Sequence, residues 1–85
     1  MTARQLEIMR LVACGLSNDE IGRRLFIQPG TVKQYVSVIR ERLGVQSRPE
    51  LVASAFVLGM VTAAEVGIEL LPRMRRVAAA NREIA

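Results

Sequence analysis

Thr31, Lys33, Gln34 and Ser37 place a hydroxyl, an ammonium, an amide and a second hydroxyl close together in one short stretch. None stands beside a His or a clustered carboxylate that would activate it, so the chemistry on offer is hydrogen bonding to polar edges and to anions. Arg23, Arg24 and Arg40 lie on either side and add forked guanidinium donors, which match the geometry of a phosphate. The chain has no His and a single cysteine, Cys14, which removes the commonest metal ligand, the commonest general base and any Cys-based metal cage. With no glycine loop to cradle a phosphate and no cluster of carboxylates, neither an enzyme nor a metal or other cofactor is expected. Cys14 has no base or metal-ligand partner near it in sequence and reads as an inert thiol, which suits the reducing cytoplasm.

At 85 residues the chain supports one small domain with a modest core and is too short for separate substrate and cofactor lobes. Hydrophobic residues make up 51% of it, yet it holds no Trp, one Tyr and two Phe, so the core must be aliphatic. The abundance of Leu, Ala, Arg and Glu predicts an all-α fold. A total of 12 Lys and Arg against 8 Asp and Glu gives a net charge of +4. Between Ile21 and Arg42, the cations Arg23, Arg24, Lys33, Arg40 and Arg42 face Glu41 alone, so this segment matches the surplus of the whole chain. A local positive face suits nucleic acid. No signal segment and no run of about 18 uncharged apolar residues is found, so no membrane partner is expected.

The elements that must position these groups are legible in caps and periodicity. Thr2 can cap a first helix from about Ala3 to Cys14, with Ile8, Leu11 and Val12 in one stripe, Leu6, Met9 and Ala13 in another, and Gly15 as its end. Ser17 opens a second helix, where Glu20 completes a capping box and Ile21 and Leu25 make the inner face. Pro29 suits the first position of a third helix, expected from about residue 29 to 43 and stopped by Gly44. Val32, Val36, Ile39 and Leu43 form its buried side, and Thr31, Lys33, Gln34, Ser37, Arg40 and Glu41 the opposite one. Ser47 and Glu50 predict a capped fourth helix to about Leu58. Thr62 and Glu65 predict a further capping box, opening a fifth helical stretch that Pro72 interrupts or restarts. Residues 1–60 are thus expected to form the domain, and residues 61–85 a basic helical extension.

Two helices joined by the short link Phe26 to Gln28 make a helix-turn-helix arrangement over about residues 17–43. In such a pair the first helix braces the second, whose N-terminal half can enter the major groove of double-stranded DNA, about 12 Å wide. Lys33 can donate to guanine O6 or N7, and Gln34 and Ser37 can read base edges, whereas Thr31 can read a base or bond locally. Arg23, Arg24 and Arg40 would supply sequence-blind phosphate contacts, although paired arginines also occur on faces that are merely solvated.

A longer pattern runs through Thr2, Arg4, Glu7 and Ile8, then Leu11, Ala13, Gly15, Ser17-Asn18 and Glu20-Ile21. It continues through Leu25, Ile27, Thr31-Val32-Lys33, Ile39, Leu43-Gly44-Val45, Arg48 and Leu51-Val52. In these positions the sequence resembles the LuxR-type, or GerE-type, helix-turn-helix domain of bacterial transcription regulators. The resemblance implies a four-helix domain whose third helix lies in the major groove and whose fourth often joins two subunits on a two-fold symmetric site. It also implies that Lys33 takes the place of a DNA-contacting lysine, while Gln34 and Ser37 fall where members vary. Members usually carry the domain behind a receiver or ligand-binding domain, and both a stand-alone regulator and a fragment fit this chain. Departures from the pattern are Gln5 for Glu, Asp19 for Lys, Gly22 for Ala, Gln28 for Ser and Tyr35 for His. Gly22 is expected to cost the second helix roughly 1 kcal/mol relative to Ala.

On the fourth helix Leu51, Val52 and Ala55 can face the core, which leaves Phe56, Val57 and Met60 for a dimer or partner contact unless the fifth stretch folds back over them. Leu70, Met74, Val77, Asn81 and Ile84 recur like a short coiled-coil seam with one polar position. The sequence therefore predicts a cytoplasmic, LuxR-type DNA-binding transcription regulator, acting as a homodimer and with RNA polymerase as a further candidate partner. The alternative is an adaptor that binds a regulator or RNA polymerase through the fourth helix and tail.

Overall fold

The computed structural model describes residues 1–72, which form five helices with no strand among them. These are α1 (Ala3–Ala13), α2 (Asn18–Leu25), α3 (Pro29–Leu43), α4 (Arg48–Val57) and α5 (residues 63–72). The expected all-α architecture is therefore present.

Local chemistry sets the helix starts. At α1 the Thr2 hydroxyl accepts from the Gln5 N–H at 3.1 Å, and the Gln5 amide oxygen accepts from the Thr2 N–H at 2.9 Å, so Gln closes the box in place of Glu. Ser17 and Glu20 close the same box at α2. The two later boxes form only by half. Ser47 accepts from the Glu50 N–H, but the Glu50 carboxylate takes the N–H of Gln46, one residue earlier than expected. Thr62 accepts from the Glu65 N–H at 3.2 Å, while the Glu65 carboxylate turns to Arg10 of α1, also at 3.2 Å. There the carboxylate pairs with a cation on another helix instead of closing the cap.

The core is aliphatic. Ile8, Met9, Val12, Ile21, Val32, Ile39 and Leu51 are fully buried, and Ala55 and Val61 join them. Each such large side chain contributes about 1.5 to 3 kcal/mol of burial. α1 lies against α3 and α4, and α2 lies against α3, so Val32, Val36 and Ile39 of the third helix are buried, while Leu43, expected on the same stripe, is only partly covered at its end.

Gly22 is buried between α2 and the turn, where an added Cβ would stand 2.6 Å from the Ile27 carbonyl oxygen. The Ile27 N–H donates to the Gly22 carbonyl at 3.0 Å, folding the turn back onto the helix end. Glycine at this position is thus more than a loss of helix propensity, because its bare Cα lets the turn close.

α5 docks on α1 and α2 and leaves Phe56 and Val57 of α4 uncovered. Leu70 sits over Gly15, where an added Cβ would come within 3.0 Å of its Cδ2. Leu70 therefore faces the domain, and helix geometry persists through Pro72. The other seam positions, Met74, Val77, Asn81 and Ile84, lie outside the described residues, as does the basic end of the extension.

Candidate nucleic-acid interface

α3 begins at Pro29, whose missing N–H would have no partner in a first turn, and the Gln28 carbonyl receives the N–H groups of Thr31 and Val32 at 3.0 and 3.1 Å. Val32, Val36 and Ile39 anchor the rear of the helix, and Tyr35 packs half-buried against the core. Lys33, Gln34 and Ser37 are exposed on the opposite side, with Thr31 half-buried at the edge of the same front. The four residues singled out by type are thus brought together on a helix whose orientation the core fixes.

The arginines separate. Arg23 is exposed beside the turn and lines a shallow depression with Asp19, Gly22, Phe26, Gln28 and Pro29 at the entry to α3. Arg24 points to α5, where its Nη1 and Nη2 donate to the Glu69 carboxylate at 2.6 and 2.9 Å. That hydrogen bond raises the guanidinium pKa and holds the Glu69 carboxyl below its ordinary value. Arg40 is half-buried and donates from Nη2 to the Gln46 carbonyl at 2.7 Å, bracing the link between α3 and α4. Arg42 donates to the Gln5 side chain at 3.1 Å, Arg4 pairs with Glu7 and Arg10 with Glu65. Among the described residues, Arg23 and Lys33 are the side-chain cations that no hydrogen bond or ion pair engages.

Arg48 was visible in the sequence only as one residue of the family pattern. Its Nη1 donates to Asn18 Oδ1 and its Nη2 to the Leu16 carbonyl, both at 2.8 Å, tying the start of α4 to the link before α2. Burial alone lowers its pKa. Periodicity cannot find such a residue, since its partners lie about thirty positions away in the chain. Phe26 is the other surprise. It caps α2 in the left-handed region at φ +59 and is 94% exposed.

The end of α4 presents Phe56, 42% exposed, and Val57, 85% exposed, while Met60 packs partly against the core. Val57 and Leu58 border an apolar groove of about 510 Å³ completed by Leu43, Val45 and Ala53, with Glu50 and Ser54 at its rim. Cys14 is buried, and burial first, then the charges of Glu69 and Glu65, push its thiol pKa up, away from reactive thiolate. Among the described residues no group of His, Cys, Asp and Glu is arranged to hold a metal ion, and no helix is long and apolar enough to cross a membrane.

Residues 1–55 match the family described as bacterial regulatory proteins, luxR family. The chain is 42% identical over 55 residues to the oxygen regulatory protein NreC of Staphylococcus aureus, covering 65% of this chain and 25% of that protein. It is 40% identical over 55 residues to proteins named as HTH-type transcriptional regulators in Mycobacterium tuberculosis and Mycobacterium bovis, covering 65% of this chain and 6% of theirs. The matched segment thus spans a quarter or less of these relatives. A family match across more than half the chain, on a helix-turn-helix with α3 braced by α2, leads to one assignment: the chain belongs to the LuxR-type helix-turn-helix family of bacterial regulatory proteins.

Proposed function

We propose that this chain binds double-stranded DNA sequence-specifically as a homodimer and regulates transcription by seating the N-terminal half of α3 in the major groove. The observation that carries the reading is the pair of unengaged cations, Arg23 and Lys33, on the two helices of the motif. Lys33 donates to guanine, Gln34 and Ser37 read neighbouring base edges, and Thr31 completes the contact at the helix start. Arg23 neutralises a phosphate beside the turn. Arg24 and Arg40, also candidates by sequence, are held by Glu69 and Gln46, so they position the domain more than they touch DNA. The exposed end of α4, with Phe56, Val57 and the groove beside them, supports a two-fold interface with a second copy. The work is recognition rather than catalysis and is set in the cytoplasm, where RNA polymerase is a candidate further partner.

The test is selection of bound duplexes from a random pool at two salt concentrations. Arg23 of each protomer gives a dimer at least two neutralised phosphates. Affinity should then fall by at least about tenfold between roughly 50 and 200 mM salt, with enrichment of a two-fold symmetric motif. No enrichment and a flat salt response would reject the DNA reading. Val57→Ser should convert the dimer to a monomer and reduce binding to the full site. If instead it abolishes capture of a protein partner while Lys33→Ala changes nothing, the chain is an adaptor.

A further inference from the structure

Val38 is the large hydrophobic residue of α3 that the fold leaves open, at 45% exposure, and it lies off the buried stripe of Val32, Val36 and Ile39. Its position serves no core contact, and a β-branched side chain lowers helix propensity. With Thr31, Gln34, Tyr35 and Gln5 it lines a shallow depression of about 270 Å³ on the flank of the helix. Thr31, Gln34 and Val38 follow one another at helical spacing, so two side chains bearing methyl groups bracket one amide.

The major groove offers a matching surface. A Gln amide reads adenine through N6 and N7, whereas the 5-methyl group of thymine is recognised by apolar contact. From Gln34 to Val38 the helix rises about 6 Å, close to two base-pair steps of about 3.4 Å, so Val38 meets a different base pair from Gln34.

We propose that Val38 is a specificity-determining residue that packs on the 5-methyl group of a thymine near the base pair read by Gln34. The inference rests on the DNA-binding reading above and deepens it. Each half-site then carries a guanine facing Lys33, an adenine facing Gln34 and a thymine facing Val38.

The experiment uses the full chain and the operator recovered from the random pool. Thymines are replaced one at a time by uracil, which keeps every hydrogen-bonding group and lacks the methyl. One thymine in each half-site should weaken binding by about fourfold on replacement, the factor that burial of one methyl group is worth. The Val38→Ala protein should lose most of that sensitivity while keeping its preference for the guanine facing Lys33. If Val38→Ala responds to uracil as strongly as the unaltered protein, or if no thymine shows the effect, the assignment of Val38 is overturned and the DNA reading stands. If the unaltered protein enriches no sequence at all, the DNA reading itself is rejected, and this inference falls with it.

Discussion

Arg23 and Arg24 are neighbours with the same side chain and opposite fates. One step along an α-helix turns the side chain by about 100°, which takes Arg23 to the turn before α3 and Arg24 to the carboxylate of Glu69. The same division runs through the described part of the molecule. Arg4, Arg10, Arg24, Arg40, Arg42 and Arg48 bind groups of their own chain, whereas Arg23 and Lys33 stand open on the helix-turn-helix. Net charge therefore says little about where a polyanion docks. The charge still unpaired after folding says more, because a guanidinium already in a bidentate ion pair must give up that pair before it can take a phosphate.

The division breaks most visibly at Lys33. Lys33→Ala should lower affinity for the selected operator by roughly 10- to 100-fold, the worth of one good base contact, and relax preference at one position of each half-site. Its thermal midpoint should stay where it is, since no hydrogen bond or ion pair engages the ammonium among the described residues. Arg23→Ala should weaken all sequences alike. A titration in which Arg24→Ala loses as much DNA affinity as Lys33→Ala would erase the distinction.

Arg48 sharpens it from the other side. Arg48→Ala leaves the Leu16 carbonyl and the Asn18 amide oxygen without their donor, a cost of about 1 to 3 kcal/mol. In a domain of this size each kcal/mol lowers the thermal midpoint by roughly 4 to 8 °C. Affinity for the operator, measured well below the transition, should be unchanged. Lost binding with an unmoved midpoint would place Arg48 at the DNA.

These residues also mark what a sequence can reveal. The helices, their caps at Thr2 and Ser17, the stop at Gly44 and the rear stripe of α3 are local patterns, set by groups three or four positions apart, and all were legible. So was the polar front of α3, because the same periodicity that buries Val32 and Val36 exposes Lys33, Gln34 and Ser37. What was not legible depends on partners distant in the chain. Glu65 leaves its cap for Arg10, Arg24 is claimed by Glu69, and Arg40 reaches across to Gln46. Type and spacing made Arg23, Arg24 and Arg40 equivalent candidates, and only tertiary contacts tell them apart. Gly22 is similar, since the family pattern makes it a departure and the close approach of the Ile27 carbonyl gives it a reason.

Phe26 offers a smaller effect. A left-handed conformation costs a bulky residue roughly 1 to 2 kcal/mol, and glycine escapes that cost while loosening the unfolded chain. Since Phe26 is nearly fully exposed, Phe26→Gly should raise stability by up to about 1 kcal/mol, read as a higher thermal midpoint. A lower midpoint would mean that the ring shields the turn and that its exposure is less idle than it looks.

The smallest effect belongs to the pair that separates the two arginines. Arg24 is nearly half exposed, so its ion pair with Glu69 is screened by solvent and contributes well under about 1 kcal/mol. The hydrogen bond from Arg24 holds the Glu69 carboxyl below its ordinary value, so the folded protein takes up this proton less readily than the unfolded chain. The contribution is therefore complete above the unfolded carboxyl pKa and fades as pH falls through the lower folded value. Glu69→Gln should be slightly less stable at neutral pH, and its deficit should shrink in acid and in high salt. A deficit that ignores both would mean that Glu69 acts by packing. The same variant also asks why Arg24 is quiet. Unchanged DNA affinity would mean that the turn of α2 alone aims this side chain away from the duplex. Increased affinity would mean that α5 withholds it, and the difference between the two arginines would then lie in the grip of the C-terminal helix.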